Sequence, residues 1–100
     1  MEQKDISIKN IVQHLQSQLG IHNIIINDYW DGDNCAIGLT DKDHKNVVYI
    51  STWKKKNNEF YVSLECPSDN ENENYSECGE FDNINIDKTV EIVKQHLTKL

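Results

Sequence analysis

Residues 24–66 constrain the fold more than any other part of the chain, because they hold four short apolar runs cut apart by strongly polar turns. Within each run apolar and polar side chains change places nearly every residue, as a sheet with one covered face requires. The first run, about residues 23–30, puts Ile24, Ile26 and Trp30 on one side and Ile25 and Tyr29 on the other, so it reads as an interior or doubly covered strand. Asp31-Gly32-Asp33-Asn34 then forms a hairpin, since these residue types accept the positive φ of tight connections. A second strand spans residues 35–40, with Cys35, Ile37 and Leu39 aligned and Gly38 marking a bulge or a close neighbour. After the polar run 41–46, residues 47–53 supply a strand rich in β-branched and aromatic side chains. Lys54, Lys55 and Lys56 belong to the next turn, where a solvated tip accounts for them better than nucleic acid does. In the fourth strand, residues 60–66, Phe60, Val62, Leu64 and Cys66 face the core, opposite Tyr61, Ser63 and Glu65, and Pro67 ends the ladder.

Helical spacing flanks this block on both sides. Ile8, Ile11, Val12, Leu15 and Leu19 line one face of a helix over residues 7–19, capped by Asp5 or Ser7. Gly20 occupies the usual left-handed position after its end, and Ile21 is expected to fold back on the last turn. The spacing predicts a second helix over residues 87–100, with Asp87 as N-cap, Val90, Val93, Leu97 and Leu100 as its stripe, and His96 on its surface. Between sheet and helix, residues 68–82 carry Asp69, Glu71, Glu73, Glu77, Glu80 and Asp82 with no cation. That bias predicts an exposed loop, in which Tyr75 and Phe81 either tack the segment to the body or reach toward a partner.

Consecutive strands joined by short turns usually pair, so the expected architecture is one α+β domain over residues 1–100: a two-layer sandwich, α-β-β-β-β-α, with a four-stranded antiparallel meander under two helices. At 100 residues such a chain buries roughly 60–70% of its unfolded surface, enough for a modest core without metals or disulfides. The uncovered face would show some of Tyr29, Tyr49 or Ile50, and Tyr61, a common beginning for a binding surface. The competing expectation is that the acidic loop folds across it.

The 17 acidic residues against 10 lysines leave a net charge of −7, which argues against nucleic acid and anionic membranes and for a basic partner or simple solubility. No apolar run has a bilayer-spanning length and no signal-peptide pattern opens the sequence, so a cytoplasmic protein is expected. Cys35, Cys66 and Cys78 lack C-x-x-C spacing and read as reduced thiols, with a Cys66–Cys78 bridge across the acidic loop as the oxidised alternative. Asn74-Tyr75-Ser76 matches a glycosylation sequon and, without secretion, marks only an exposed polar loop.

No catalytic pattern emerges. A nucleophile needs a base within hydrogen-bond reach, and the expected topology scatters His22, His44 and His96. Metal spacings of the H-x-x-x-H kind and phosphate-cradling glycine loops are lacking, and Asp31-Gly32-Asp33-Asn34 is too short for an EF-hand, so no metal or cofactor is expected.

Val48-Tyr49-Ile50-Ser51-Thr52-Trp53, Phe60-Tyr61-Val62-Ser63-Leu64-Glu65, the charged segment after them and Ile92-Val93-Lys94-Gln95-His96-Leu97 resemble small bacterial immunity proteins of polymorphic-toxin and contact-dependent growth-inhibition systems. The likeness runs over residues 27–100. It implies a non-enzymatic cytosolic inhibitor that binds a cognate toxin, a basic nuclease-type domain, and blocks its active site. An acidic surface suits that task by steering the encounter. On this reading contacts come from Asp31, Asp33, Asp69, Glu71, Glu73, Glu77 and Glu80, with Tyr29, Trp30, Tyr61 and Tyr75 as aromatic anchors, although Trp30 and Trp53 also suit the core. Two other classes compete: an adaptor or chaperone pairing a peptide with a strand edge, and a hydrolase using one carboxylate or Cys35. Neither a monomer nor a homodimer is favoured.

Overall fold

A computed structural model describes residues 4–27, 34–68 and 75–98. Their order is α1 (Ile6–Leu19), β1 (Ile25–Ile26), β2 (Ala36–Thr40), β3 (Val47–Ser51), β4 (Phe60–Pro67), β5 (Tyr75–Ile84) and α2 (Ile86–Leu97). The α+β class matches the expectation, but the antiparallel sheet has five strands in the order β1-β2-β3-β4-β5.

The extra strand comes from the acidic segment. Residues 75–84, read from composition as mostly loop, instead pair with β4 along its whole length, from Phe60 opposite Ile84 to Pro67 opposite Tyr75. Phe81 explains why: opposite Val62, it packs against the core, while charged residues of β5 point elsewhere. An edge strand needs only a few inward apolar side chains, so its acidic composition does not prevent pairing. Two register shifts put an extra residue into β5. The Asn83 backbone has φ 55° in the first, and Cys78 is the inserted residue of the second.

At the other edge, β1 is two residues long, and Ile26 is exposed. The first strand is therefore an edge strand rather than an interior one. The Asn27 N–H still donates to the Gly38 carbonyl at 2.9 Å, which prolongs the pairing by one residue. Residues 28–33 lie outside the described residues, and with them the expected Tyr29, Trp30 and the Asp31–Asp33 turn.

Asp5 caps α1, accepting from the Ser7 N–H at 3.0 Å, and all five predicted stripe residues are buried. Gly20 has φ 92°, and its N–H closes on the Gln16 carbonyl. Ile21 does not fold back; it is 61% exposed, and Ile24 supplies the buried side chain after the turn while Asn23 Nδ2 donates to the Leu19 carbonyl. The second helix starts earlier than its sequence suggests. Asn85, not Asp87, is the N-cap, accepting from the Lys88 N–H at 2.8 Å.

α2 packs on β3 and β4 as well as on α1, and one continuous core joins both helices to the sheet through Ile11, Leu15, Ile37, Ile50, Val62 and Val93. Full burial of a side chain such as Ile50 contributes about 1.5–3 kcal/mol. Ile50 thus belongs to the helix side, not the uncovered face. His96, expected on the surface of α2, is 3% exposed, because the buried stripe of that helix runs through Thr89, Ile92, Val93, His96 and Leu97.

Cys66 and Cys78 form a disulfide with Cα atoms 5.9 Å apart, correcting the reading of all three cysteines as reduced. Composition predicts an exposed loop between them; the β4–β5 pairing holds the two residues at bridging distance. No helix among the described residues is long and apolar enough to cross a membrane.

Candidate functional site

The sheet face turned away from the helices is built by strand alternation. Beside the inward residues Phe60, Val62 and Leu64, the outward positions of β4 are Tyr61, Ser63 and Glu65. β3 contributes Tyr49, opposite Ser63, and β5 contributes Glu80 opposite Ser63 on the other side and Glu77 opposite Glu65. Tyr49 and Tyr61 meet edge-on with ring centroids 6.0 Å apart. Both are half-buried, whereas Glu77 and Glu80 are exposed.

This face is open only in part. Every residue of β2 is buried, including those whose side chains point away from the helices, so the accessible portion lies over β4 and β5. The described part of the acidic segment, from Tyr75 on, does not fold across the sheet; it extends it.

The electrostatics of the open portion are one-sided. A hydrogen bond with Glu80 and the charge of Glu80 push Glu77 above the usual carboxylate range, with further contributions from desolvation and Glu65. Among the described residues no cation acts on it. Desolvation raises the Tyr61 phenol, and the charges of Glu80 and Glu77 add to that. Three carboxylates and two tyrosines thus share one face, with like charges directly opposite at Glu65 and Glu77, a destabilising cross-strand arrangement.

Of the residues singled out for partner binding, Tyr61, Glu77 and Glu80 come together here. Tyr75 is tied to the body instead, its hydroxyl donating to the His44 carbonyl at 2.6 Å across to the β2–β3 turn. Tyr29, Asp31, Asp33, Asp69, Glu71 and Glu73 lie outside the described residues. Sequence reading missed Tyr49 and Glu65 as neighbours of the acidic residues; the alternation of β4 marked Glu65 as outward, but only the pairing of β5 reveals what it faces. Trp53 is also exposed, at the end of β3, with Lys54 Nζ 4.5 Å from its ring centroid.

A separate cleft of about 520 Å³ lies between the start of α1 and the β3–β4 turn, lined by Asp5, Ser7, Cys35, Thr52, Lys55 and Glu59 among others. Ser7 Oγ donates to Asp5 and lies 2.8 Å from Thr52 Oγ1. Hydrogen bonds from Ser7 hold the Asp5 carboxyl below its ordinary range, which makes it a weak base while it caps the helix. Among the described residues no histidine lines the cleft. Lys55 is engaged by Asp82 and Asn83, pinning the turn to β5.

No protein-family model, curated protein or solved structure matches this chain.

Proposed function

We propose that this protein is an inhibitor that works by binding: it presents the β4–β5 half of its outer sheet face to a basic protein and occupies that partner's functional surface. The observation that carries this reading is the set of carboxylates Glu65, Glu77 and Glu80 beside Tyr49 and Tyr61, where every charge from the described residues that acts on Glu77 is negative. Lysine or arginine brought to this face relieves repulsion already present in the free protein, and the two rings offer apolar area of the kind that anchors interfaces. A net charge of −7 extends the same field beyond the patch and speeds encounter with a basic partner.

The sequence resemblance supplies the candidate partner: a cognate bacterial toxin, with a nuclease-type domain whose phosphate-binding region is basic. The protein would then be an immunity protein acting in the cytoplasm of the cell it protects. Pairing of a peptide with the β5 edge is the competing mode; two bulges and exposed acidic side chains along that strand are features that discourage strand addition.

The experiment is to look for a toxin domain encoded beside this gene, co-express the two, and follow with kinetics of the purified pair. Growth rescue by the wild-type chain is expected. Glu77→Lys with Glu80→Lys should slow association at least tenfold at low salt and flatten its dependence on ionic strength, with a thermal midpoint at or above that of the wild type because Lys at position 77 would face Glu65. Unchanged association would remove this face from the mechanism, and failure to rescue or bind would remove the toxin.

A further inference from the structure

On the helix side of β4, away from the acidic face, Cys66, Cys78 and His96 bring two sulfurs and an imidazole nitrogen within 4.8 Å of one another. Three elements deliver them. Cys66 comes from β4, Cys78 is the residue inserted into β5 at its second bulge, and His96 lies in the buried stripe of α2. Without that bulge the alternation of β5 would change beyond Gly79, so the irregularity is what gives Cys78 its place.

The Glu65 carbonyl fixes the tautomer of His96. His96 Nε2 lies 2.9 Å from the Glu65 carbonyl, and a carbonyl only accepts, so Nε2 carries the proton and the lone pair of the neutral ring is on Nδ1. A backbone carbonyl holding the far N–H of a metal-bound histidine is the usual supporting contact that fixes tautomer and ring plane. Beside the cluster a cavity of about 270 Å³, lined by Leu64, Phe81, Ile92 and Gln95 as well as the three ligand candidates, leaves room for a fourth, water ligand.

We propose that reduction of the Cys66–Cys78 disulfide turns this cluster into a two-cysteine, one-histidine site for a thiophilic cation, zinc(II) foremost. Disulfide and metal are alternative states of the same two sulfurs. A dithiol reductant of the thioredoxin class gives two electrons and two protons to the cystine and becomes a disulfide itself. Zinc then displaces the two thiol protons to solvent and binds two thiolates and the neutral imidazole. Zn–S bonds of about 2.3 Å at a tetrahedral angle set the sulfurs roughly 3.8 Å apart. Side-chain torsions reach that separation from Cα atoms 5.9 Å apart with the strands in place. Two thiolates and an imidazole, with no carboxylate, select zinc over magnesium or calcium. In the reducing cytoplasm of the proposed function the dithiol is the prevailing state, so the metal would restore the β4–β5 tie that the disulfide otherwise makes and add α2 to it through His96.

The test uses the full chain, reduced with a phosphine under anaerobic conditions and titrated with cobalt(II) as a spectroscopic probe and then with zinc(II) against a chromophoric chelator. One equivalent per chain is expected, with thiolate-to-cobalt charge-transfer bands and tetrahedral d–d bands that zinc abolishes, and none of this in the oxidised chain. Cys78→Ser and His96→Gln should each weaken zinc binding by more than the roughly 10- to 100-fold that loss of a supporting contact costs. Because His96 is buried, two readouts on the unaltered chain accompany the variants: zinc should raise the thermal midpoint of the reduced protein, and it should shield Cys66 and Cys78, but not Cys35, from alkylation counted by peptide mass. A reduced chain that takes up no zinc, or uptake undiminished in Cys78→Ser, overturns the proposal.

Discussion

Glu65 and Glu77 stand directly opposite each other across the β4–β5 pair, and Glu80, which shares a hydrogen bond with Glu77, adds a third carboxylate to the same outer face. Folding brings these groups together, so the folded state holds a proton on Glu77 at a pH where the unfolded chain has released it. A carboxyl raised by folding contributes stability below its unfolded value and loses that contribution as the pH rises through the folded one. Asp5 and Asp82 behave oppositely. Ser7 lowers the first and Lys55 the second, so their contributions are present above the ordinary carboxylate range and disappear as the pH falls through their lowered values. The thermal midpoint should therefore rise as the pH falls from neutrality toward the carboxylate range and then drop below it. In Glu77→Gln the rise should shrink while the acid drop remains, as differential scanning calorimetry over a pH series would record; an unaltered rise would mean that the carboxylates do not interact.

Tyr61 reports on the same face from the alkaline side. Desolvation raises its phenol, and the charge of Glu80 opposes formation of the phenolate. Neutralising that charge in Glu80→Gln should lower the pH at which one tyrosine ionises, visible as an earlier component in an ultraviolet titration of tyrosinate. Tyr61→Phe should delete the late component altogether. If Glu80→Gln leaves the titration unmoved, the carboxylate does not sit beside the ring.

The disulfide joins residues 12 apart in sequence. For a closed loop near this length the chain-entropy account assigns about 3 kcal/mol of stabilisation, mainly through the unfolded state. Cys66→Ser with Cys78→Ser should lower the unfolding free energy by about 2–4 kcal/mol in urea titrations with chelator present. Because the bridge limits expansion of the unfolded chain, the slope against urea should increase as the midpoint falls. A loss well under 1 kcal/mol would show that the β4–β5 ladder already restrains this loop in the unfolded ensemble.

The parts of this fold that were legible in the sequence are those where burial imposes a period. The α1 stripe from Ile8 to Leu19 is reproduced side chain by side chain, and so is the alternation of β4 from Phe60 to Ser63, beyond which Leu64, Glu65 and Cys66 are all half-buried. The β5 strand was hidden because an edge strand buries one face sparingly: Phe81 and Gly79 meet β4, and the acidic residues between and around them dominate any composition count. Gly79 carries a second cue, since a Cβ there would stand 3.2 Å from Leu64 Cδ1, a closeness that glycine permits. The candidate site was legible to the same degree. Tyr61, Glu77 and Glu80 were identifiable as types, but their assembly on one face with Tyr49 and Glu65 depends on the register of β5. The cysteine–histidine cluster was least visible, because a bulge and a helix phase, not a spacing motif, bring Cys66, Cys78 and His96 together.

The start of α2 separates two explanations that sequence alone leaves tied. Asp87 and Asn85 are both good N-cap types, yet the Asn85 backbone is extended at φ −84° and ψ 177° and its side chain accepts from the Lys88 N–H, whereas Asp87 lies in the first turn. Asn85→Ala should therefore cost about 1 kcal/mol, the usual loss when a capping acceptor is removed. Asp87→Ala removes a favourable charge near the positive end of the helix dipole and should cost about 0.3–1 kcal/mol at low salt. Added salt distinguishes them further, because screening erodes the dipole contribution of Asp87 but leaves the short Asn85 hydrogen bond nearly untouched. Urea unfolding of the two variants at low and high salt measures both differences. A larger, salt-insensitive loss at Asp87 than at Asn85 would move the helix start two residues downstream, and with it the phase that buries His96.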